Sequence, residues 1–119
     1  MPQETSEPSD LSIARKDGIA IVTVQTNNLL ELDEVNRAST ELRGLLEQGE
    51  LKVILDLAQV QYAGSAALGM LLSIDQDLKA RGGKLVLVNV GKIEMLLKIS
   101  RTRGVFNVAP DLAAAQRSM

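Results

Sequence analysis

The short stretch "AGSAA", Ala63 to Ala67, contains one side chain capable of chemistry, the hydroxyl of Ser65. Apolar, β-branched residues precede the stretch and an apolar helical pattern follows it, so Ser65 is predicted to lie on a strand-to-helix turn. The neighbouring side chains are a methyl group or a hydrogen atom and do not shield the hydroxyl. Such a serine could act as a nucleophile, help to bind a phosphate, or be phosphorylated itself.

Nucleophilic attack needs a base, and this chain lacks the usual one. The small-x-Ser-x-small pattern around Ser65 matches the strand-to-helix elbow of α/β hydrolases. However, the sequence contains no histidine to accept the serine proton. A lysine could replace it, yet no downstream lysine has a spacing that directs it toward Ser65. These lysines are Lys79, Lys84, Lys92 and Lys98. The sequence therefore predicts that the protein is not an enzyme.

The glycines do not form a phosphate-binding loop. Gly64 and Gly69 have the G-x-x-x-x-G spacing of such a loop. Met70 and Leu71 follow, where a lysine and a serine or threonine are needed to hold the phosphate and Mg²⁺. The "GGK" of residues 82–84 precedes a predicted strand instead of a helix. Both are interpreted as chance matches.

Composition removes further classes of function. Cysteine and histidine are absent, which excludes thiolate chemistry, disulfide bonds and the commonest metal ligand. Asp75 and Asp77 lie on a predicted helix and, without a histidine nearby, are interpreted as solvent-facing or helix-flanking residues. No metal ion or cofactor is expected.

Charge and targeting signals limit the partners and the compartment. The formal net charge is -2, and the chain has one tyrosine, one phenylalanine and no tryptophan, which argues against binding to nucleic acid. Residues 1–10, "MPQETSEPSD", are polar and acidic and are predicted to form a disordered tail, not a signal peptide. No apolar run approaches the length of a membrane span. We therefore expect a cytoplasmic protein that does not insert into membranes.

Strands and helices alternate along the rest of the chain. Residues 11–25, "LSIARKDGIAIVTVQ", predict two strands joined by a turn at residues 16–18, the second of which is apolar enough for burial on both faces. An amphipathic helix follows, with acidic residues at its start and Gly49 at its end. Its apolar face comprises Val35, Ala38, Leu42 and Leu45.

The same alternation continues to the C-terminus. Residues 52–57, "KVILDL", and 84–90, "KLVLVNV", are predicted strands. The helix between them ends at residues 82–83 and has an apolar face of Ala67, Met70, Leu71, Ile74 and Leu78. The last predicted elements are a short helix with Ile93, Leu96 and Leu97, a strand in residues 105–108, "VFNV", and a helix that Pro110 opens.

Together these elements predict one α/β domain over residues 11–119, with a mostly parallel sheet of four to five strands covered by about four helices. Val53–Leu57 and Leu85–Val88 should be adjacent buried strands. Strand-to-helix loops gather beyond the carboxyl ends of such strands, so Ser65 should lie where these folds bind their ligands. The predicted core comprises Val35, Leu42, Leu45, Leu55, Leu71, Ile74 and Leu87.

Ser65 could also simply cap the second helix. A serine at the N-cap accepts a hydrogen bond from a first-turn N–H and contributes about 1 kcal/mol. Capping and phosphorylation are compatible, because a helix N-terminus carries unpaired N–H donors and a partial positive charge that tolerate a phosphate.

The stretch from Asp56 to Gly69 resembles the motif of the STAS domain, the fold of bacterial anti-sigma factor antagonists. Members typically have Asp-Leu-Ser, a spacer, and then Asp-Ser-Ser/Ala-Gly-Leu-Gly. The order of elements is similar from Leu11 to about Gln116. The residues that match the motif are Asp56, Leu57, Val60, Ser65, Ala66, Leu68 and Gly69.

The resemblance implies a STAS-like fold and a protein switch. In the family, a serine kinase that is also an anti-sigma factor phosphorylates this serine, and the unmodified antagonist captures the kinase. Ser65 is therefore the predicted phosphorylation site, and the expected partners are such a kinase and a serine phosphatase. The predicted partner-binding residues are Asn27, Asn28, Gln61, Tyr62, Gly64, Ser65, Ala66 and Gly69.

Several residues depart from the family pattern. Ala58 replaces the serine of Asp-Leu-Ser, Gly64 replaces the aspartate before the phosphorylated serine, and Ala67 replaces a glycine. The loop after the second strand, commonly Gly-x-Leu-Asp, is "TNNLLELD" here. The departures leave an alternative open, a STAS scaffold or ligand-binding module of a transporter or multiprotein regulatory complex that is not phosphorylated.

Overall fold

The structure, a computed structural model, describes residues 11–119, so the predicted tail in residues 1–10 lies outside the described residues. Strands and helices alternate along the described chain, as the sequence pattern predicts. The elements are β1 (Leu11–Lys16), β2 (Ile19–Val24), β3 (Asn28–Leu29), α1 (Leu32–Glu47), β4 (Lys52–Asp56), β5 (Tyr62–Ala63), α2 (Ser65–Ala80), β6 (Lys84–Val88), α3 (Glu94–Ile99), β7 (Asn107–Ala109) and α4 (Leu112–Ser118).

A five-stranded sheet in the order β1-β2-β4-β6-β7 forms the centre of the domain. β1 and β2 pair as an antiparallel hairpin, whose turn residues Asp17 and Gly18 both have positive φ. The other neighbouring strands pair in parallel. The register between β4 and β6 runs from Lys52 opposite Lys84 to Asp56 opposite Val88. The predicted fold class and the adjacency of these two strands are confirmed.

Apolar side chains cover both faces of the sheet. On β4, Val53 and Leu55 belong to the larger core, which includes residues of α1, α2 and α3, while Ile54 belongs to a smaller core that includes Ala115 of α4. Successive side chains of a strand point to opposite faces, so the continuous apolar runs of the central strands are explained by helices on both sides. All seven predicted core residues are buried.

A second, two-stranded sheet was not predicted from the sequence. β3 and β5 pair in parallel, with Asn28 opposite Tyr62 and Leu29 opposite Ala63. Each strand has two residues, which is too short to show the alternation by which a strand is recognised. This small sheet connects the loop before α1 to the loop before α2.

The predicted bounds of the last two elements were wrong. Val105 and Phe106 precede β7, which begins at Asn107. α4 begins at Leu112 instead of at Pro110, because the Asp111 carboxylate accepts a hydrogen bond from a backbone N–H of the first turn at 2.8 Å and so acts as the N-cap.

The interpretation of Asp75 as a solvent-facing or helix-flanking residue was also wrong. Its side chain is 1% exposed, and its Oδ2 lies 2.9 Å from the Lys79 ammonium one turn along α2. Within residues 11–119 its carboxylate oxygens have no hydrogen-bond partner of suitable geometry, so the ion pair with Lys79 offsets part of the cost of burying the charge. Asp77 is half-buried and forms ion pairs with Arg43 and Arg81.

Candidate functional site

Ser65 is the first residue of α2, and Gly64 is the N-cap, with an extended backbone (φ -122, ψ -168). The interpretation of Ser65 as the capping residue was therefore wrong. Its side chain is exposed, and its hydroxyl forms no hydrogen bond with another residue of the described part of the chain. The hydroxyl is consequently free to react with an approaching molecule.

The N-terminus of α2 carries no side-chain cap and no acidic residue in its first turn. The first hydrogen bond of the turn runs from the Leu68 N–H to the Gly64 carbonyl at 3.1 Å. The N–H groups of the residues between them have no acceptor within the helix. These donors and the partial positive charge of a helix of 16 residues favour an anion at this turn.

The structure brings the two predicted partner-binding loops together. The Asn27 carbonyl accepts hydrogen bonds from the backbone N–H groups of Gln61 at 2.9 Å and Tyr62 at 3.1 Å. Asn28 pairs with Tyr62 between β3 and β5, and its Oδ1 accepts a hydrogen bond from the Leu30 N–H at 2.8 Å. The loops before α1 and α2 thus form one surface, while their role in partner binding stays a prediction.

Two further predicted residues extend this surface along α2. Ala66 is half-buried and follows Ser65 directly. Gly69 is exposed, lies one turn beyond Ser65 on the same face of the helix, and has no atom within 4 Å of the position where a Cβ would lie. A partner could therefore approach the helix backbone closely at this point.

Sequence reasoning missed Leu30. A Cβ at Gly64 would lie 3.3 Å from the Leu30 Cδ2, so the leucine side chain lies against the backbone of the N-cap residue. The sequence showed Leu30 only as an apolar residue in a loop. Its contact with Gly64 depends on the β3–β5 pairing, which no periodicity reveals.

Asp56 organises the loops at the same edge of the sheet. Its Oδ1 accepts hydrogen bonds from the Ala58 N–H and from the Asn89 Nδ2, both at 3.0 Å. Asn89 directly follows β6 and has positive φ (58°), a conformation that asparagine adopts more readily than most residues. The carboxylate thus holds the start of the β4 loop against the neighbouring β6 loop.

Two global features of the described residues bear on function. Within residues 11–119, no group of three or more His, Cys, Asp or Glu side chains is placed to hold a metal ion. None of the helices in the same range is long and apolar enough to cross a membrane.

The family is identified by comparison with known proteins. The STAS domain model matches residues 10–115, so the chain belongs to the STAS domain family. A protein of Bordetella bronchiseptica, BtrV, named as a candidate anti-sigma factor antagonist, is 28% identical over 106 residues. That match covers 88% of this chain and 90% of the relative.

Solved structures show the same fold. A candidate anti-sigma factor antagonist from Thermotoga maritima superposes with a TM-score of 0.80 at 20% identity, covering 91% of this chain and 92% of that one. The anti-sigma factor antagonist SpoIIAA in its unphosphorylated form gives 0.69 at 13% identity, with 91% and 94% covered. SpoIIAA of Bacillus in its phosphorylated form gives 0.69 at 15% identity, with 92% and 99% covered.

Proposed function

We propose that this protein is an anti-sigma factor antagonist that binds an anti-sigma factor serine kinase through the surface around Ser65 and is released when the kinase phosphorylates that serine. It acts by binding instead of by catalysis, in the bacterial cytoplasm, and a serine phosphatase restores the binding form. The names of the relatives support the antagonist role, and SpoIIAA, a structural neighbour, has been solved in unphosphorylated and phosphorylated forms.

The observation that carries this proposal is the free, exposed hydroxyl of Ser65. A kinase can phosphorylate only a hydroxyl that is exposed and not held by hydrogen bonds, because the hydroxyl must enter the active site of the kinase. Three other serine hydroxyls take part in hydrogen bonds within the chain and are less available. Their partners are Arg43 for Ser73, the Leu96 carbonyl for Ser100 and the Ala115 carbonyl for Ser118.

A phosphate on Ser65 would be tolerated by the chain itself but not by a closely packed partner. It adds up to about two negative charges and three acceptor oxygens, which the uncapped N-terminus of α2 can accommodate. A partner that packs against Gly64, Ala66 and Gly69 would have to bury this charge and its bulk. Desolvation of a charge without a partner is unfavourable, so the kinase binds the unmodified form.

The test is phosphorylation by the cognate anti-sigma factor kinase with ATP, followed by mass spectrometry. Phosphate is expected on Ser65 and on none of Ser73, Ser100 or Ser118. Ser65→Ala should abolish the modification and keep kinase binding, because the surface stays small.

Ser65→Asp should weaken kinase binding by about 1–3 kcal/mol, the cost of burying an unpaired polar group, which is roughly 5- to 150-fold in Kd. The matched control is Ser12→Asp, which places the same charge on an exposed serine of the edge strand β1 and should bind like the parent. The proposal fails if Ser65→Asp binds as tightly as the parent and no kinase transfers phosphate to Ser65.

The second candidate is a STAS scaffold or ligand-binding module that is never phosphorylated. Gly64 and Ala67 favour it, because both stand where the family pattern has other residues. The same experiment separates the two candidates: unchanged binding by Ser65→Asp together with the absence of phosphate supports the scaffold.

A further inference from the structure

Leu30, which directly follows β3, lies on the same side of the small β3–β5 sheet as Tyr62 of β5. Asn28 is opposite Tyr62 and Leu29 is opposite Ala63, and side chains alternate between the two faces of a strand. Leu29 is 1% exposed and points into the core. Leu30, the next residue, therefore points outward, on the face that carries Tyr62.

Leu30 also contacts the turn before α2, at Gly64. Its Cδ2 lies 3.3 Å from the position of a Cβ on Gly64, the residue directly before Ser65. Glycine at this position lets the leucine side chain lie on the backbone of the turn. An apolar surface thus borders the Ser65 hydroxyl.

This apolar surface is largely exposed to water. Leu30 is 53% exposed and Tyr62 is 56% exposed. We call these two residues the Leu30 patch. Exposed apolar groups that cluster in one place on a small domain are typical of a surface that a partner covers.

The charges around the Leu30 patch define the chemistry of that partner. Glu31 and Asp33 are exposed, and within the described residues their carboxylates have no hydrogen-bond or ion-pair partner. Glu34 accepts a hydrogen bond from the Thr26 hydroxyl at 2.8 Å. No lysine or arginine occurs in residues 25–36, and Arg37 lines the same surface groove as Glu31, Asp33 and Glu34. The border of the patch sets three carboxylates against this one guanidinium and is therefore net negative, which disfavours nucleic acid and anionic lipid and favours a cationic protein surface.

We infer that the Leu30 patch is the apolar anchor of the interface with the anti-sigma factor kinase, an inference that rests on the proposed function. The kinase presents an apolar socket for Leu30 and Tyr62, with lysine or arginine side chains beside it that face Glu31 and Asp33. Interfaces are typically held by a few buried apolar anchors within a polar rim. Leu30 thereby determines which kinase can dock, and Ser65 beside it determines whether docking occurs.

The test compares the affinity of the cognate anti-sigma factor kinase for the parent and for two matched variants. Leu30→Ser should raise the Kd about tenfold or more, because the anchor is lost. Ile99→Ser is the control, since Ile99 is 74% exposed and lies on α3, outside the patch, and its Kd should stay within about twofold of the parent. Leu30→Met, which keeps an apolar side chain of similar size, should bind like the parent.

The charged border is tested by salt. Binding of the parent should weaken as the salt concentration rises, and the double variant Glu31→Gln with Asp33→Asn should lose most of that dependence. A salt dependence that is unchanged in the double variant overturns the cationic character of the partner surface.

The outcomes separate this inference from the proposed function. If the parent does not bind the kinase, the proposed function fails and the anchor with it. If the parent binds and Leu30→Ser binds equally well, the inference alone is overturned. If Leu30→Ser changes the mass of the isolated chain in solution from that of a dimer to that of a monomer, the occupant is a second copy, and the kinase socket is also overturned.

Discussion

The two ends of helix α2 differ in how many side-chain hydrogen bonds they form with the rest of the domain. At the C-terminal end, Arg81 donates hydrogen bonds to the Asp77 carboxylate at 2.9 Å, to the Glu47 carboxylate at 3.1 Å and to the Leu46 carbonyl at 3.3 Å. The hydrogen bonds to Asp77 and then to Glu47 raise the pKa of the Arg81 guanidinium above its usual value. At the N-terminal end, Ser65 forms no side-chain hydrogen bond within the described residues.

Glycine also has a different role at each end. A Cβ on Gly83, just past α2, would lie 2.3 Å from the Leu51 carbonyl oxygen, so the backbones are too close for any side chain. A Cβ on Gly64 would meet only the end of the Leu30 side chain, which can move. Packing therefore requires glycine at position 83, whereas position 64 can accept a larger side chain if Leu30 moves aside.

The difference places the contacts that stabilise α2 at one end of the helix and leaves the other end exposed. The bonds that join α2 to α1 through Arg81, and the close backbone contact at Gly83, lie at the end away from Ser65. The end that carries Ser65 contributes exposed, small side chains and unpaired N–H groups. Modification of Ser65 should therefore change binding without unfolding the domain.

The largest effect is expected in the middle of α2, which belongs to neither end. Leu71 is 3% exposed and part of the larger core. Leu71→Ala should lower the free energy of unfolding by about 2–5 kcal/mol, because it leaves a cavity. Chemical denaturation measures this, and a loss below about 1 kcal/mol would mean that the helix face packs less tightly than its burial indicates.

The second effect tests the end that is held by packing. Gly83→Ala should destabilise the protein by about 1–3 kcal/mol, because the new methyl group forces the backbone of residue 51 to move. Gly69→Ala is the matched control: nothing lies within 4 Å of its Cβ position, so alanine should stabilise α2 by about 0.5–1 kcal/mol through helix propensity. If chemical denaturation shows that both variants destabilise the protein, or that both stabilise it, the proposed difference between the two glycines is wrong.

The third prediction concerns the N-terminal end of α2, which has no side-chain cap. Gly64→Asp should stabilise the chain by about 0.3–1 kcal/mol, because a carboxylate at the N-cap interacts favourably with the helix N-terminus. Gly64→Ala controls for the added Cβ and should bring no gain. Thermal or chemical unfolding distinguishes them, and a destabilised Gly64→Asp would show that Leu30 cannot move aside.

The smallest effect is expected at the hydroxyl itself. Ser65→Ala should change the free energy of unfolding by less than about 0.5 kcal/mol, because no hydrogen bond within the described residues is lost. Ser100→Ala, which removes a 2.8 Å hydrogen bond to the Leu96 carbonyl, should cost about 0.5–1.5 kcal/mol. If Ser65→Ala lowers the free energy of unfolding as much as Ser100→Ala does, the Ser65 hydroxyl stabilises the fold and this prediction is wrong.

Much of the fold, and the approximate position of Ser65, could be predicted from the local pattern of apolar residues. The apolar runs at Val53–Leu57 and Leu85–Val88 predicted buried neighbouring strands, which the register confirms. The helical spacing of apolar residues predicted the core faces of α1 and α2, and Ser65, predicted on the strand-to-helix turn, is the first residue of the helix that follows this turn. These features are recognisable because many residues contribute to one repeating signal.

The sequence by itself determined the order of strands and helices, the residues of the core and the position of Ser65 on a surface of small residues, since each of these depends on periodicity and side-chain size. Only the tertiary structure decided that Gly64 and not Ser65 caps α2, that Asp75 is buried beside Lys79, and that the Leu30 side chain lies against Gly64. The physical reason is that capping depends on the backbone angles of single residues, and burial depends on which distant segments pack together. Neither is encoded in the spacing of neighbouring residues.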